Sequence, residues 1–413
     1  MIGELITTMA RREFSRAMRF DEGEAASLPM GDTAPNRLLY IHIPFCENLC
    51  PYCSFNRVLY EESQCGEYFK ALREEIRIYK ELGYDFGGIY VGGGTPTIVP
   101  DELEETLRVA RDYFSIREIS VETNPNHLTE KNLASLKRVG VNRLSVGVQS
   151  FDDGLLKSMG RYDKYGSGGE ICERLKDTLG YFDTLNADMI FNFPTQTSAI
   201  LKSDLDILIE TGVDQVTYYP LMVSDSTRMA VSRALGKVDY RKESTFYDLI
   251  VRRLIPYYRN SSAWCFSRKD AMIDEYIVNY GEYAGLGSGS IGYLGGRCYA
   301  NTFSIPDYIE RLKKKELPIM ACRQFSLKEQ VRYDFLMKLF GMELDMASLR
   351  EKYGRKYLLY LWKDTLAFMI AGGLSYCKGN ICLTDRGRYY WVIMMREFFT
   401  AVNNFRDFCL KID

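Results

Sequence analysis

Three cysteines set the chemistry this chain can do. Cys46, Cys50 and Cys53 stand in Tyr40-Ile41-His42-Ile43-Pro44-Phe45-Cys46-Glu47-Asn48-Leu49-Cys50-Pro51-Tyr52-Cys53-Ser54-Phe55, spaced C-x3-C-x2-C. Three thiolates on one short loop can hold three irons of a [4Fe–4S] cube and leave the fourth iron open to a small molecule. Two plainer chemistries compete with this one. Cysteines so close together are poorly placed to pair with one another, and eleven among 413 residues is not the density of a disulfide scaffold. A structural zinc wants a fourth Cys or His, and no later C-x2-C pair supplies half of such a site. His42 is the nearest alternative ligand, but it falls in what reads as a strand.

Composition bounds the rest. The length suits two or three domains, or one large domain if it is a barrel. An apolar content of 46% with 26% charged residues describes a globular chain with ample core. The net charge of −2 gives no electrostatic footprint for nucleic acid. No apolar run approaches the ~20 residues that span a bilayer. Met1–Phe20 mixes arginines with Glu4 and Glu13 and lacks the apolar core of a signal peptide. Free cysteines and an oxygen-sensitive cluster together predict a cytoplasmic location. Two histidines against 30 tyrosines argue against a His-rich metal site.

Four regions follow from the patterning. Residues 1–36 read as an N-terminal helical extension (Ile6–Phe20) and a polar linker ending at Pro35. Residues 37–225 alternate short apolar runs with helical stretches. The predicted strands are Leu38–Ile43, Gly88–Val91, Glu118–Glu122, Arg143–Gly147, Ala187–Phe193 and Gln215–Pro220. The helices expected between them are Glu67–Leu82, Pro100–Tyr113, Glu130–Val139, Gly168–Leu185 and Ile200–Thr211. Such alternation predicts a parallel α/β array, with the cysteine loop directly after the first strand, at the C-terminal mouth. Residues 226–323 complete the barrel and form a substrate-side segment, with a glycine-rich stretch at Gly285–Gly296. Residues 324–413 read as helices around a short hairpin, a winged-helix-like α+β domain acting as a lid.

Several motifs occur together and in order. They are Tyr40-Ile-His42-Ile-Pro-Phe-Cys46, Gly92-Gly-Gly-Thr-Pro-Thr97, Val121-Glu-Thr-Asn-Pro125, Ser145-Val-Gly-Val-Gln-Ser-Phe151, Met159-Gly-Arg161, Asp188-Met-Ile-Phe191 and Ala284-Gly-Leu-Gly-Ser-Gly-Ser-Ile291. This set resembles the oxygen-independent coproporphyrinogen III dehydrogenase family of the radical S-adenosylmethionine (SAM) superfamily. That family also holds heme chaperones, anaerobic heme-ring-opening methyltransferases and class C methyltransferases. The resemblance is strong over roughly residues 38–310 and weak beyond. It implies a partial (β/α)6 radical SAM barrel in which Cys46, Cys50 and Cys53 hold a [4Fe–4S] cluster whose open iron binds SAM.

By the same resemblance, Tyr40, Gly93, Glu122 and Ile291 contact that first SAM. Gly94, Thr95, Gln149, Arg161 and Asp188 match the positions that hold a second SAM, or a substrate in its place. The plain alternatives are an ordinary βα turn for the glycines, a solvated strand end for Glu122, a core tyrosine at 40 and an Arg161–Asp188 salt bridge across the rim. The implied activity is a radical SAM enzyme, a methyltransferase or oxidoreductase. It would form a 5′-deoxyadenosyl radical and act on a heme or porphyrin, by radical methyl transfer or ring modification. The alternatives are oxidative decarboxylation of coproporphyrinogen III, methylation of another aromatic, and heme trafficking. Reduction of the cluster calls for a low-potential donor such as flavodoxin or ferredoxin, under anaerobic conditions.

Two departures bear on the choice. Phe55 stands where the dehydrogenase has a fourth cysteine, which moves the reading from decarboxylation toward the chaperone and methyltransferase branches. The chaperone's histidine-containing heme segment corresponds here to Arg297-Cys298-Tyr299-Ala300-Asn301-Thr302, so a heme would have to use Cys298, Tyr299 or Cys265 instead. Tyr218, Tyr219, Trp264, Phe266 and Tyr293 are candidates for a flat platform under a macrocycle, with core packing as the equal alternative.

Overall fold

The computed structural model describes residues 2–18, 20, 28–31, 37–225 and 227–409. Most of the linker expected before Pro35 lies outside the described residues. The first helix, α1, runs Ile2–Ala17. Six strands with five helices between them then follow in chain order, beginning with β1 (Arg37–Ile43), α2 (Glu62–Glu81), β2 (Gly88–Gly93) and α3 (Pro100–Tyr113). Next come β3 (Glu118–Thr123), α4 (Glu130–Arg138), β4 (Arg143–Gln149) and α5 (Gly168–Thr178). The series ends with β5 (Thr184–Phe191), α6 (Ser198–Thr211) and β6 (Gln215–Pro220). Neighbouring strands from β1 to β6 are parallel throughout.

Local chemistry sets these boundaries. Pro100 opens α3, where its missing N–H costs nothing, and Ser167 with Glu170 forms a capping box at the start of α5. The helix expected over Gly168–Leu185 stops early. Its cap, Leu179, is extended, and Gly180 takes φ +74°, which turns the chain so that β5 begins at Thr184.

The six strands belong to a larger open sheet. Beyond β6 lie β7 (Arg259–Asn260) and β8 (Cys265–Ser267), with β8 antiparallel to β6. On the other side β9 (Glu282–Leu286) is parallel to β1, and β10 (Ile291–Leu294), β11 (Arg297–Asn301) and β12 (Ile319–Gln324) extend the edge antiparallel. The order is β12-β11-β10-β9-β1-β2-β3-β4-β5-β6-β8-β7. The barrel is therefore partial: β6 and β1 each pair outward with another strand and never with each other.

Later helices are α7 (Glu243–Leu254), α8 (Ile305–Lys313) and α9 (Leu327–Phe340). The C-terminal part adds β13 (Glu343–Leu344), α10 (Met346–Tyr353), α11 (Lys356–Ile370), the hairpin β14 (Leu374–Cys377) and β15 (Asn380–Leu383), and α12 (Asp385–Cys409). Helices followed by a three-stranded sheet of order β13-β15-β14 match the winged-helix-like expectation. One difference from the reading of free thiols is a disulfide, Cys377–Cys382, across this hairpin. The inference from free cysteines to a reducing compartment therefore loses this pair.

Helix α1 docks on α12. Arg11 Nε donates to Glu397 Oε2 at 2.9 Å, Arg396 pairs with both Glu243 and Glu397, and Phe14 meets Phe398 edge-on at 5.5 Å. On the opposite flank, buried Glu75 of α2 ties down the glycine-rich loop after β9. Its carboxylate accepts from Gly287 N at 2.8 Å, Asn301 Nδ2 at 2.8 Å and Tyr308 Oη at 2.6 Å. Replacing Glu75 with Ala would leave these donors without their acceptor in a dry site. The expected loss is about 3 kcal/mol, read as a fall in the denaturant midpoint. An unchanged midpoint would show that the loop does not depend on this anchor.

Candidate functional site

The cysteine loop leaves β1 and is pinched at its base, where Phe45 and Cys46 pair with Val58 and Leu59. Cys46 is buried, Cys50 and Cys53 are half-buried, and none of the three is in a disulfide. Arg57 Nη2 donates to the carbonyls of Cys50 at 2.6 Å and Cys53 at 2.9 Å, and its Nε is buried without a partner. Three thiols with a guanidinium folded against their backbone suit an anionic cluster. Zinc would need His42, and both of that ring's nitrogens are engaged. Nε2 donates to the Asn56 carbonyl at 2.8 Å, and Nδ1 lies 3.0 Å from Tyr40 Oη. Burial lowers His42 to about 4, so the ring is neutral and Nδ1 accepts from the tyrosine.

Beside the loop, the glycine run after β2 is required for space. A Cβ at Gly94 would lie 2.6 Å from the Phe45 carbonyl and 2.9 Å from Cys46 Sγ. One at Gly93, whose φ is +119°, would lie 2.8 Å from both His42 Cε1 and the Ile43 carbonyl. At Gly92 it would meet the Glu122 carboxylate at 2.8 Å. The backbone therefore approaches the cysteine loop more closely than any other residue type permits.

Inside the partial barrel, strand alternation produces a polar lumen. Residues 90 and 92, 120 and 122, 143 and 145, 186 and 188, and 215, 217 and 219 share the inner face, while their neighbours are buried apolar groups packed outward. At the centre sits Asp274, delivered by the loop after β8. Its carboxylate accepts from Tyr90 Oη at 2.6 Å, Arg143 Nη1 at 2.9 Å, Thr217 Oγ1 at 2.9 Å, Tyr219 Oη at 2.9 Å and Asn186 Nδ2 at 3.4 Å. Burial opposes its charge, but Arg143 and these donors outweigh burial and keep it ionised. No motif signals Asp274, because it comes from an irregular segment that only folding brings into the lumen.

Asp274 dictates the state of its neighbours. Burial, together with the charge of Asp274, raises Asp188 well above the usual carboxylate range. Asp188 accepts from Ser145 Oγ at 2.6 Å and Asn186 Nδ2 at 2.7 Å, and as a neutral acid it donates to Asp274. Glu122 is pushed up to about 7 by burial and then by Asp274, while it accepts from Tyr90 Oη at 2.8 Å and Gly93 N at 3.2 Å. Glu122 is thus half-buried at the mouth, held by Tyr90 and Gly93, and is not a solvated strand end.

The rim salt bridge weighed for Arg161 and Asp188 does not form. Arg161 instead donates through Nη2 to the Gly147 carbonyl and to Asn124 Oδ1 at 3.5 Å, and through Nη1 to Tyr52 Oη at 3.3 Å. Its Nε is buried and unpartnered, the kind of vacancy an anionic ligand group fills. Thr95 Oγ1 accepts from Asn124 Nδ2 at 3.0 Å and lies 3.8 Å from Cys46 Sγ. Gln149 holds φ +74° at the end of β4, a left-handed conformation that costs a non-glycine residue energy. Cys46, Thr95, Asn124, Arg161 and Gly147 therefore form one connected patch, with Glu122 and Gly93 as its neighbours.

Tyr40, His42, Phe55, Asn56 and Ile291 form one end of a cavity of about 720 Å³. The far walls come from α1 (Leu5, Met9, Phe14), α9 (Tyr333, Phe335, Leu336), α11 and its C-cap (Ala367, Phe368, Ala371) and α12 (Met394, Phe398, Phe399). Arg16, Arg323, Arg332 and Arg406 also stand in its wall. Of the three thiol or phenol groups considered for a heme iron, Cys298 lines this space, while Tyr299 and Cys265 are sealed in the core. The aromatic platform expected from Tyr218, Tyr219, Trp264, Phe266 and Tyr293 does not line it. Tyr218, Trp264, Phe266 and Tyr293 are buried in the core, with Trp264 edge-on to Phe340 at 4.7 Å, and Tyr219 faces the polar lumen, where it donates to Asp274.

The family model described as Radical SAM superfamily matches residues 40–199, the stretch from β1 through the cysteine loop, the glycine run and Arg161. The chain carries a radical SAM domain. Such proteins bind a [4Fe–4S] cluster and SAM, and the thiols, glycine run and Arg57 described above fit that pair. Over most of the chain, the heme chaperone HemW of Bacillus subtilis is 29% identical across 364 residues, covering 84% of this chain and 95% of that protein. HemW of Mycobacterium tuberculosis is 27% identical, covering 85% and 91%. The oxygen-independent coproporphyrinogen III oxidase of Pseudomonas aeruginosa is 25% identical, covering 85% and 82%. Among solved structures, coproporphyrinogen III oxidase (HemN) from Escherichia coli, described as a radical SAM enzyme, superimposes with a TM-score of 0.73 over 94% of this chain and 93% of its own, at 21% identity. That match shows the fold, partial barrel and C-terminal part included.

Glu122 gives the lumen mouth a group that titrates near neutrality. Below about 7 it is a neutral acid, and above that value it is a carboxylate able to accept from ribose hydroxyls. With Glu122 holding SAM, as the family resemblance implies, SAM affinity should rise with pH through neutrality. Glu122→Gln should bind SAM about tenfold more weakly at high pH, the loss of one charge-assisted hydrogen bond, and should flatten the profile. Equilibrium titration with SAM across that range reads both effects.

Proposed function

We propose that this protein binds a tetrapyrrole, heme first, in the cavity between its barrel mouth and its C-terminal helices, and hands it on. It would work as a radical SAM heme-trafficking protein. The observation that carries this reading is the cavity itself. About 720 Å³ lies within the range of pockets that enclose a cofactor, and its walls are largely apolar. One end is the Tyr40–His42 strand beside the cysteine loop, and the four arginines in the wall, each paired with an acid here, would meet the anionic side chains of a macrocycle by exchanging those partners. The relatives named heme chaperones, aligned over most of this chain, support the same reading.

In this proposal Cys46, Cys50 and Cys53 hold the cluster, and Tyr40, Gly93, Glu122 and Ile291 contact SAM. Bound there, cluster and SAM supply one-electron chemistry at the barrel end of the cavity, fed by a low-potential donor such as flavodoxin or ferredoxin. Gly94, Thr95, Gln149 and Arg161 face a ligand bearing a carboxylate, for which the unpartnered Arg161 Nε is the recognition group. Asp188 is the weak member of a second SAM site. As a neutral acid donating to Asp274 it offers no charge to an ammonium group. With Phe55 in place of a fourth cysteine, this disfavours both oxidative decarboxylation and radical methyl transfer from a second SAM.

The test is anaerobic reconstitution followed by three parallel measurements. Ferric heme should bind in one-to-one stoichiometry and pass to an apo-heme protein. Ala10→Trp, which fills the cavity from α1, should weaken binding at least tenfold, and Cys50→Ala should lose the cluster and SAM cleavage. Decarboxylation of coproporphyrinogen, or transfer of label from methyl-labelled SAM to heme, would overturn the trafficking reading in favour of an enzyme.

A further inference from the structure

Helix α11 has one face too many for a helix of a globular protein. Eleven of the fifteen residues in Lys356–Ile370 are apolar or aromatic. Tyr357, Leu361 and Thr365 are buried against the protein. Yet Leu358, Leu359, Trp362, Leu366 and Ile370, spaced about one turn apart, are between 49 and 79% exposed. A helix that is apolar all round is normally covered on all sides. Among the described residues nothing covers this stripe.

Two observations indicate what does. The first is charge. Residues 350–363 carry Arg350, Lys352, Arg355, Lys356 and Lys363 against a single acid, Glu351, in a chain whose net charge is −2, and of these cations Lys352 pairs with Asp334 at 2.8 Å. Asp364, the acid on α11, is taken up by Arg332 at 3.0 Å. Lys363 lies 5.3 Å from the Trp362 ring, so cation and indole stand together at the edge of the stripe. The second is continuity with the cavity. Ala367 and Phe368 of α11 and its C-cap Ala371 line it together with Leu5 and Met9 of α1, which are 60% and 59% exposed, so the cavity reaches the surface beside the stripe.

We infer that the α1–α11 face docks on an anionic phospholipid surface. An apolar stripe with a tryptophan, flanked by lysine and arginine, is the pattern that lies flat in a bilayer interface. Its basic residues each add attraction to an anionic leaflet. No helix among the described residues is long and apolar enough to cross a membrane, so this contact is with the surface. Seated there, the cavity would open toward lipid, where an apolar ligand dissolves, and not toward water. The lipid contact is independent of the tetrapyrrole reading, and its test uses no heme, so either can fail without the other.

The full chain carries its own reporter. Of its three tryptophans, Trp264 and Trp391 are fully buried, and Trp362 is 53% exposed. Mixing the protein with phosphatidylcholine vesicles containing phosphatidylglycerol should shift Trp362 emission to the blue, remove its quenching by iodide, and float the protein with the vesicles. Phosphatidylcholine alone should bind at least tenfold more weakly. Leu366→Glu with Ile370→Glu, both at exposed positions, should abolish flotation while leaving the circular dichroism and melting curve in place. Absence of flotation, or flotation without a change at Trp362, would overturn the inference. So would a lipid-independent dimer dissolved by the same two substitutions, which would assign the stripe to a second copy of the chain.

Discussion

A single carboxylate, Asp274, holds the inside of this molecule together. The parallel sheet does not close, so no strand pairing completes the ring around its lumen. Asp274 supplies cross-ties in place of closure, taking hydrogen bonds from β2, β4, β5 and β6 through Tyr90, Arg143, Asn186, Thr217 and Tyr219. Its pair with Arg143, at 2.9 Å, has both partners almost completely buried. Removing one partner of such a pair costs about 3–5 kcal/mol, because the other charge is left in a dry site. The same charge pushes Glu122 toward neutrality and keeps the Asp188 proton in place. One interaction thus fixes the barrel's shape and the protonation of two groups at its mouth.

The site joins two solvents. On the lumen side of β1, hydroxyls, amides and carboxyls are tied into a dense network around Asp274. Where Tyr40 and His42 end that network, the apolar cavity begins, walled by helices from the two ends of the chain. A polar, charged cofactor belongs on the first side and a large apolar ligand on the second. The tyrosine–histidine pair, with its neutral imidazole, is the partition between them.

The position of α1 follows from this division. Left alone, the helix would expose Ile6, Ala10 and Phe14. Docked through Arg11–Glu397 and Phe14–Phe398, it becomes one wall of the cavity. The arginines and acids that join α1, α7 and α12 form a connected network, which α1 enters through Arg11 and Thr7.

The sequence by itself determined what is local. Cysteine spacing, the glycine run and the period of two in six strands are set by neighbours a few residues apart, and the thiol loop, its place after β1 and the parallel order of the strands follow from them. Glu122 and Arg161 were legible for the same reason, as parts of short motifs. Only the tertiary structure decided which polar groups meet. Arg161 turns to Gly147 and Asn124 and leaves Asp188 to Asp274, a residue in no motif. The aromatic residues 218, 264 and 266 look alike as core or as platform in sequence, and packing sends them into the core. The cavity, too, has walls from residues hundreds of positions apart. Long-range contacts of this kind depend on how faces pack, and no local spacing encodes them.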